Sequence, residues 1–389
     1  MGRIRQILLI LDTAREPNRQ FIRGITRYAN HHGPWIFHGI PPLYHLENIK
    51  LQNSALFKND LLSSDAAFGY IDDKIAKILI KHDKPIAHLP VHKPIPGAIN
   101  IMEQDNSTGQ MGAKHFLDLG LRNFAFCGWK DFHWSRIRQI GFCQAIQKAG
   151  FNAATYKEPP LGKKLTRQAQ RKLLIKWLSS LPKPVGIMTC NDDRSREVVE
   201  ACLVANLDIP EDVAVLGVDN DQMVCNLSQP PLSSIALSHE QAGYSTGQLL
   251  DAMMSGKKVK DKQILVRPLF LQSRQSTDIL AIEDKEIVTA LHFIRDNSSH
   301  QITVQDVTDE TTLSIRVLQL RFRKILDRSI HQEIRRVRID RFCKMLLETD
   351  LSIYQIADSL DFRDINHVAR AFRKEKGMTP LQYRKKLGY

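Results

Sequence analysis

The stretch SIYQIADSLDFRDINHVARAFRKEK, Ser352–Lys376, decides the fold of the C-terminal part of this chain. Ile353, Ile356 and Ala357 fall on one helical stripe. Leu360-Asp361-Phe362 then turns the chain, and helical spacing resumes over Asp364–Lys376 with Val368, Ala369 and Phe372 inward. A short helix, a tight turn and a second helix make a helix-turn-helix unit. The second helix of such a unit enters the major groove, where its outward side chains meet base edges. Those outward residues are Ile365, Asn366, His367 and Arg370. An Asn can bond adenine bidentately and an Arg guanine. Arg363, Arg373 and Lys374 flank them and suit phosphate contacts.

A similar unit lies upstream. Val304, Val307 and Thr308 begin it, Leu313-Ser314 marks the turn, and Ile315–Ile325 is the second helix, with Ser314 as its expected N-cap. Leu318 and Phe322 face inward, leaving Ile315, Arg316, Gln319 and Arg323 outward. Between the units, Ile330–Leu347 predicts one helix of about 27 Å at about 1.5 Å per residue. That is close to one duplex turn of roughly 34 Å, so two successive major grooves are within reach. Ile356-Ala357, Leu360-Asp361-Phe362, Phe372, Gly377, Thr379-Pro380 and Tyr383-Arg384 resemble the closing signature of AraC-type transcription regulators. Ser314, Leu318, Phe322 and Arg338–Leu347 resemble its first half. Asp361 stands where that family usually has Gly, a substitution the turn tolerates because Asp adopts left-handed backbone. Val368 replaces the usual Phe, and Arg363 a small capping residue, which bears on base preference.

Charge agrees with a phosphate-bearing partner. The chain carries net charge +13; residues 285–389 hold 20 Lys and Arg against 14 acids, a per-residue excess over twice that of the remainder. The 389 residues, 43% hydrophobic and 25% charged, describe a folded protein of two or three domains. Cys127, Cys143, Cys190, Cys202, Cys225 and Cys343 form no CxxC pair, so free buried thiols in a reducing compartment are expected. Ile7–Leu11 is too short for a signal-peptide core and no run approaches a membrane span, which points to the cytoplasm and away from membranes.

The first 275 or so residues alternate short apolar runs with amphipathic stretches. Strands are expected at Ile4–Leu11, Ala66–Ile71, Pro85–Leu89, Phe124–Cys127, Val185–Thr189 and Val213–Val218. Helices are expected at Asn18–Asn30, Asp73–His82, Ala113–Leu119, Arg136–Lys148, Arg194–Ala205 and Gln241–Met254. Such alternation predicts parallel sheet covered by helices on both faces, here in two lobes. Strand-like runs stop after Asp278, so the expected organisation is α/β over residues 1–278 and all-α over 284–389.

Glu103-Gln104-Asp105-Asn106, Gly109, Ala113-Lys114-His115-Phe116-Leu117 and Leu119-Gly120 resemble the sugar-sensing domains of LacI-type repressors and periplasmic sugar-binding proteins. So do Arg138 with Gly141-Phe142, Asn191-Asp192, Ile209-Pro210, Gly217-Val218-Asp219-Asn220, Pro230-Pro231-Leu232 and Arg274-Gln275-Ser276-Thr277. The resemblance implies two α/β lobes with a ligand held between them. By matched position Arg138, Asp192 and Asp219 are the expected sugar contacts, and Trp134 the stacking surface; Asp12, Asn18 and Asn191 are secondary, while Asp105 supports the hinge. The fused arrangement resembles activators of xylose utilisation, through Trp134 and Arg138 at their spacing, Asp192 with Arg194 and Arg196, and His292-Phe293-Ile294-Arg295. It implies D-xylose or a related pentose as effector, double-stranded DNA as partner, a homodimer, and RNA polymerase by family analogy.

Other readings are a regulator answering another sugar, a DNA-binding protein whose N-terminal part only dimerises, an enzyme, and a transport receptor. No GxGxxG, P-loop, HExxH or GxSxG motif supports catalysis, so no catalytic residue and no cofactor is expected. His82, His88 and His92 sit among Pro-broken loops and strands, and no metal site is expected there.

Overall fold

The computed structural model describes residues 4–39, 55–90, 93–157, 166–279, 284–362 and 364–387. The first lobe holds β1 (Arg5–Ile10), α1 (Glu16–His32), β2 (Trp35–His38), α2 (Ala55–Ser63), β3 (Ala66–Gly69), α3 (Asp73–Lys81), β4 (Ile86–His88) and β5 (Ile99–Glu103). The chain crosses over and builds the second lobe from α4 (Asp105–Asp118), β6 (Asn123–Cys127), α5 (His133–Lys148), β7 (Ala153–Thr155), α6 (Arg167–Ser180), β8 (Val185–Thr189), α7 (Asp192–Val204), β9 (Val213–Val218), α8 (Gln222–Leu227) and β10 (Ser233–Leu237). It returns to lobe one for α9 (His239–Met254) and β11 (Gln263–Val266), then crosses a third time into β12 (Pro268–Gln272).

Sheet one runs β11-β5-β4-β3-β1-β2 and is parallel throughout. Sheet two runs β12-β10-β9-β8-β6-β7; β12 is antiparallel to β10, an exception the expectation of parallel sheet did not include. The centres of both sheets are apolar on both faces: Ile7 and Phe68 on one face and Leu8 and Ala67 on the other, and Ile187 and Val215 on one face and Met188 and Leu216 on the other, are buried, as helix-covered parallel strands require.

Each lobe is framed by one pair of helices in backbone contact. A Cβ on Gly109 of α4 would lie 2.1 Å from the Arg138 carbonyl oxygen of α5, and one on Gly141 of α5 would lie 2.1 Å from that of Asn106. Gly24 of α1 and Gly243 of α9 repeat this reciprocal arrangement in lobe one. This contact lets α4 begin at Asp105, well before the expected Ala113; Asn106–Gln110 carries little apolar signal, and its helical state comes from packing on α5.

β10 also escaped sequence reading, because Ser233 and Ser234 break the apolar run. Both are fully buried, Ser233 bonded to Arg274 and Thr277 and Ser234 to Asp192. β2, β5, β7, β11, β12, α2, α6 and α8 were likewise not anticipated.

The C-terminal part consists of α10 (Lys285–Asp296), α11 (Val304–Asp309), α12 (Ile315–Leu326), α13 (Ile330–Glu348), α14 (Ile353–Ser359), α15 (Ile365–Lys376) and α16 (Pro380–Leu387). Capping boxes start four of these helices: Thr303 with Asp306, Ser329 with Gln332, Ser352 with Gln355 and Thr379 with Gln382. Ser314 occupies the expected N-cap position, yet its hydroxyl makes no capping bond. One core joins Ile287, Leu291, Val307, Leu318, Phe322 and Ile334. The other joins Ile339, Phe342, Leu346, Ile356, Leu360, Val368, Phe372 and Tyr383. The long helix α13 contributes to both. Asp361 has φ 52°, the left-handed turn its residue type allows.

Candidate functional site

All three crossovers meet at one point. Gln104 N donates to Val266 O at 2.8 Å, Ser238 N to Arg267 O at 2.9 Å, and Arg267 N to Ser238 Oγ at 2.8 Å. Carboxylates at the ends of β5 and β9 face each other there, because ligand-bearing groups of parallel sheets gather at the carboxyl ends of strands. Arg138, on the second turn of α5, binds them together. Its Nε donates to Asp105 at 2.8 Å, Nη1 to Cys190 O at 2.6 Å and Nη2 to Glu103, and Asp219 lies 3.9 Å away. Glu103 also meets His239 Nε2 at 3.2 Å.

The electrostatics follow from burial among paired charges. Burial raises Glu103, but Arg138 and His239 outweigh it and hold the carboxyl well below the usual range. Burial likewise raises Asp105, which the neighbouring Glu103 anion reinforces against the pull of Arg138. Burial pushes Asp219 up to about 8, with Arg138 opposing only part of that shift. Asp219 also has φ 103°, an unusual conformation for a non-Gly residue, and such strain concentrates at functional positions.

A pH dependence follows. The folded protein keeps the Asp219 proton to about pH 8, whereas an unfolded Asp releases it near 4. Between those values the native state binds more protons, so stability is fullest at the acidic end and falls as pH rises through the window. The melting temperature of the unliganded protein is expected to decline from pH 5 to pH 8, and Asp219→Asn to flatten the decline. An equally steep profile in the variant would remove Asp219 as its source.

Asp12, at the end of β1, is exposed and accepts Ala14 N at 2.8 Å. Asn18 is buried and accepts the Tyr70 hydroxyl at 3.2 Å. Burial raises the Tyr70 phenol above its ordinary pKa, and the negative charges of Glu103, Asp12 and Asp219 add to the shift. Trp134 belongs to an aromatic wall with Trp129 and Phe132, and the Arg138 guanidinium lies 4.9 Å from its ring centroid.

Two of the expected sugar contacts have other duties. The Asn191 side chain accepts Arg194 N at 3.1 Å and caps α7. Asp192 is 2% exposed, and its oxygens accept Ser234 Oγ at 2.6 Å and Asp221 N at 2.8 Å. It supports the strand ends from behind, and Gly217 leaves room for it: a Cβ there would sit 2.1 Å from Asp192 Oδ1. Arg138, expected as a sugar contact, is placed as a clamp at the hinge. Asp105 fills the supporting role expected of it.

Sequence reading missed Glu103, Tyr70, His239 and Asp221. Glu103 could have been found, since it opens the Glu103-Gln104-Asp105 motif. Asp221 joins the lobes across the cleft mouth, accepting Glu16 N at 2.9 Å and lying 3.3 Å from Arg19, while Arg15 pairs with Asp193 at 2.7 Å. His88 Nδ1 accepts Ile71 N at 3.3 Å, a structural role; His92 lies outside the described residues.

On α12 the face carrying Ile315, Arg316, Gln319 and Arg323 is exposed, and so is Leu320, which the sequence did not single out. On α15 Arg370, Arg373 and Lys374 are exposed. Ile365 is corrected: it is half-buried and packs on the second helical core, because a residue on the first turn leans back over the chain preceding its helix. Arg363 and the side chains of Asn366 and His367 lie outside the described residues.

Known proteins combine the same parts. Residues 113–277 match a periplasmic binding protein-like domain and residues 307–386 a helix-turn-helix domain. The chain is 30% identical to the xylose operon regulatory protein of Haemophilus influenzae, over 97% of this chain and 98% of that protein. It is 26% identical to the protein of the same name from Escherichia coli K12, over 97% and 96%. Among solved structures, a xylose-binding transcription activator superposes with TM-score 0.61 at 23% identity over the whole of both chains. A LacI family regulator from Enterococcus faecium with bound ribose matches 71% of this chain and 99% of its own, with TM-score 0.55 and 20% identity.

Proposed function

The chain belongs to the family of xylose operon regulatory proteins, and from that premise we propose that its inter-lobe cleft binds D-xylose and thereby sets how its tandem helix-turn-helix units engage an operator. The protein is a sugar-responsive, DNA-binding regulator of xylose utilisation. The observation that carries the cleft assignment is the Arg138 cluster, where charged hydrogen-bonding groups of both lobes converge beside an aromatic wall. Carboxylates accept from sugar hydroxyls, a guanidinium donates to them, and charged hydrogen bonds are the stronger kind. Asp219, Arg138, Glu103, Asp12 and Asn18 take the hydroxyls, and Trp134 covers the apolar ring face; Asp192 and Asn191 hold the strand ends in place.

Arg316, Gln319 and Arg323 on α12 and Asn366, His367 and Arg370 on α15 read bases, with Arg363 and Lys374 on phosphates. The functional unit is a cytoplasmic homodimer that activates transcription by contacting RNA polymerase. Sugar acts by favouring the closed arrangement of the lobes, and it can shift the equilibrium only by its differential affinity for the two states.

Calorimetric titration of the full chain with pentoses and hexoses, paired with operator binding over a salt series, tests this. D-xylose is expected to bind best, and operator affinity to fall steeply with salt as counterions are released. Asp219→Ala is expected to abolish the sugar response while leaving sugar-free operator binding intact. Arg370→Ala is expected to weaken operator binding without changing sugar affinity. Operator affinity that ignores D-xylose while the sugar still binds would refute the coupling.

A further inference from the structure

We infer that the DNA-reading domain is carried on lobe two by an ion-pair junction of Asp118 with Arg328 and Arg336, and that α4 is the shaft connecting this junction to the cleft. The inference rests on the sugar reading for what moves the lobes, and on separate contacts for what holds the reader. α4 begins at the hinge, where Asp105 accepts from Arg138. It ends at Asp118, and its length between is locked to α5 by the Gly109 and Gly141 contacts. An acid in the last turn of a helix opposes the helix dipole, so Asp118 needs cations to hold it there. Lys114 supplies one from α4 itself at 2.9 Å. The reader supplies two more, Arg328 at 3.1 Å and Arg336 at 3.6 Å.

From that point the contacts continue into the reader. Glu333 of α13, 1% exposed, takes Arg328 Nε at 2.6 Å and Arg336 Nη2 at 2.7 Å. Arg336 meets Asp340 at 3.3 Å, and Asp340 meets Lys376, the last residue of α15, at 2.7 Å. A second attachment follows the third crossover: Tyr383 Oη donates to Leu269 O of β12 at 3.2 Å, and Leu269 and Phe270 pack on the second helical core. Both attachments belong to lobe two. Lobe one and α13 are related differently: both line a cavity of about 500 Å³, Glu16, Gln20 and Glu240 from lobe one and Leu347 from α13, together with Leu269 and Arg274 of lobe two. Rotation of the lobes therefore alters the lobe-one gap and leaves the lobe-two junction whole.

Spin labels on exposed Gln147 of lobe two, Lys81 of lobe one and His331 of α13, in the full chain, test this by pulsed distance measurement. Adding D-xylose is expected to shift the Lys81–His331 distance and leave Gln147–His331 unchanged. Asp118→Asn is expected to broaden Gln147–His331 with or without sugar. It is also expected to reduce the ratio of operator affinities with and without D-xylose from the roughly 5–150-fold of typical allosteric coupling to about twofold or less. Should Asp118→Asn not fold, Arg328→Gln breaks the same pair from the other side. A Gln147–His331 distance that shifts with sugar, or a junction variant that keeps the wild-type distribution and ratio, overturns the inference. A Lys81–Gln147 distance indifferent to D-xylose counts against the sugar reading alone, and the broadening in Asp118→Asn still decides the junction.

Discussion

Arg138→Met is expected to destabilise the sensor by about 3–5 kcal/mol, the usual result of deleting one partner of a buried ion cluster. The guanidinium is 2% exposed and serves Glu103, Asp105 and the Cys190 carbonyl at once. Methionine matches much of its volume, so the loss is electrostatic: buried carboxylates keep their desolvation cost without their cation. For a unit of this size the melting temperature should fall on the order of 10 °C, and D-xylose binding should disappear with it. Arg138→Lys should rescue little, because one ammonium cannot reproduce the planar fork that meets three acceptors. Adding Glu103→Gln to Arg138→Met should recover part of the loss, as coupled neighbours do. Thermal unfolding of the three variants is the measurement, and a melting point within a degree or two of wild type in Arg138→Met would show that the cluster is not what holds the hinge.

Phe372→Ala is expected to remove the second helix-turn-helix unit as a DNA reader while the sensor continues to bind sugar. Its ring is fully buried, with the rings of Phe342 at 5.8 Å and Tyr383 at 5.2 Å. Emptying such a position costs about 3–5 kcal/mol, comparable with everything a unit of this size has in reserve. Footprinting should show protection shrinking to the half of the operator held by α12, and the salt dependence of binding should flatten as phosphate contacts are lost. Unchanged protection across the whole operator would mean that α15 does not read DNA.

The two parts of the chain were legible to different degrees. The paired helices of each reader unit were visible because a helical stripe and a turn residue lie within a few residues of one another. The Asp361 turn was anticipated from the resemblance, where Gly is usual, and from the tolerance of Asp for left-handed backbone, which it adopts in the structure. The sensor showed its alternation of strands and helices, and Arg138 and Asp219 stood out by resemblance. Its grouping of residues did not show. Glu103, Asp219 and His239 are far apart in sequence and meet only because three crossovers meet. Asp192 and Asn191 were singled out as sugar contacts, and nothing local reveals that Ser234 and the Asp221 and Arg194 amides bond to their oxygens. Ile365 was placed outward by helical spacing, which says nothing about which core lies under the first turn.

By itself, then, the sequence determined the alternation of strands and helices in the sensor, the helical state of the reader and most of the faces its helices hide, because these depend on neighbours within a turn or two. Only the tertiary structure decided that Arg138 clamps the hinge, that an acid at the end of α4 is held by two arginines more than 200 residues away, and that Tyr383 of the reader reaches β12 of lobe two. Those are pairings of charges that are buried only once the chain has folded. Their sign and strength depend on which partner arrives, and that is set by where the crossovers bring the chain back.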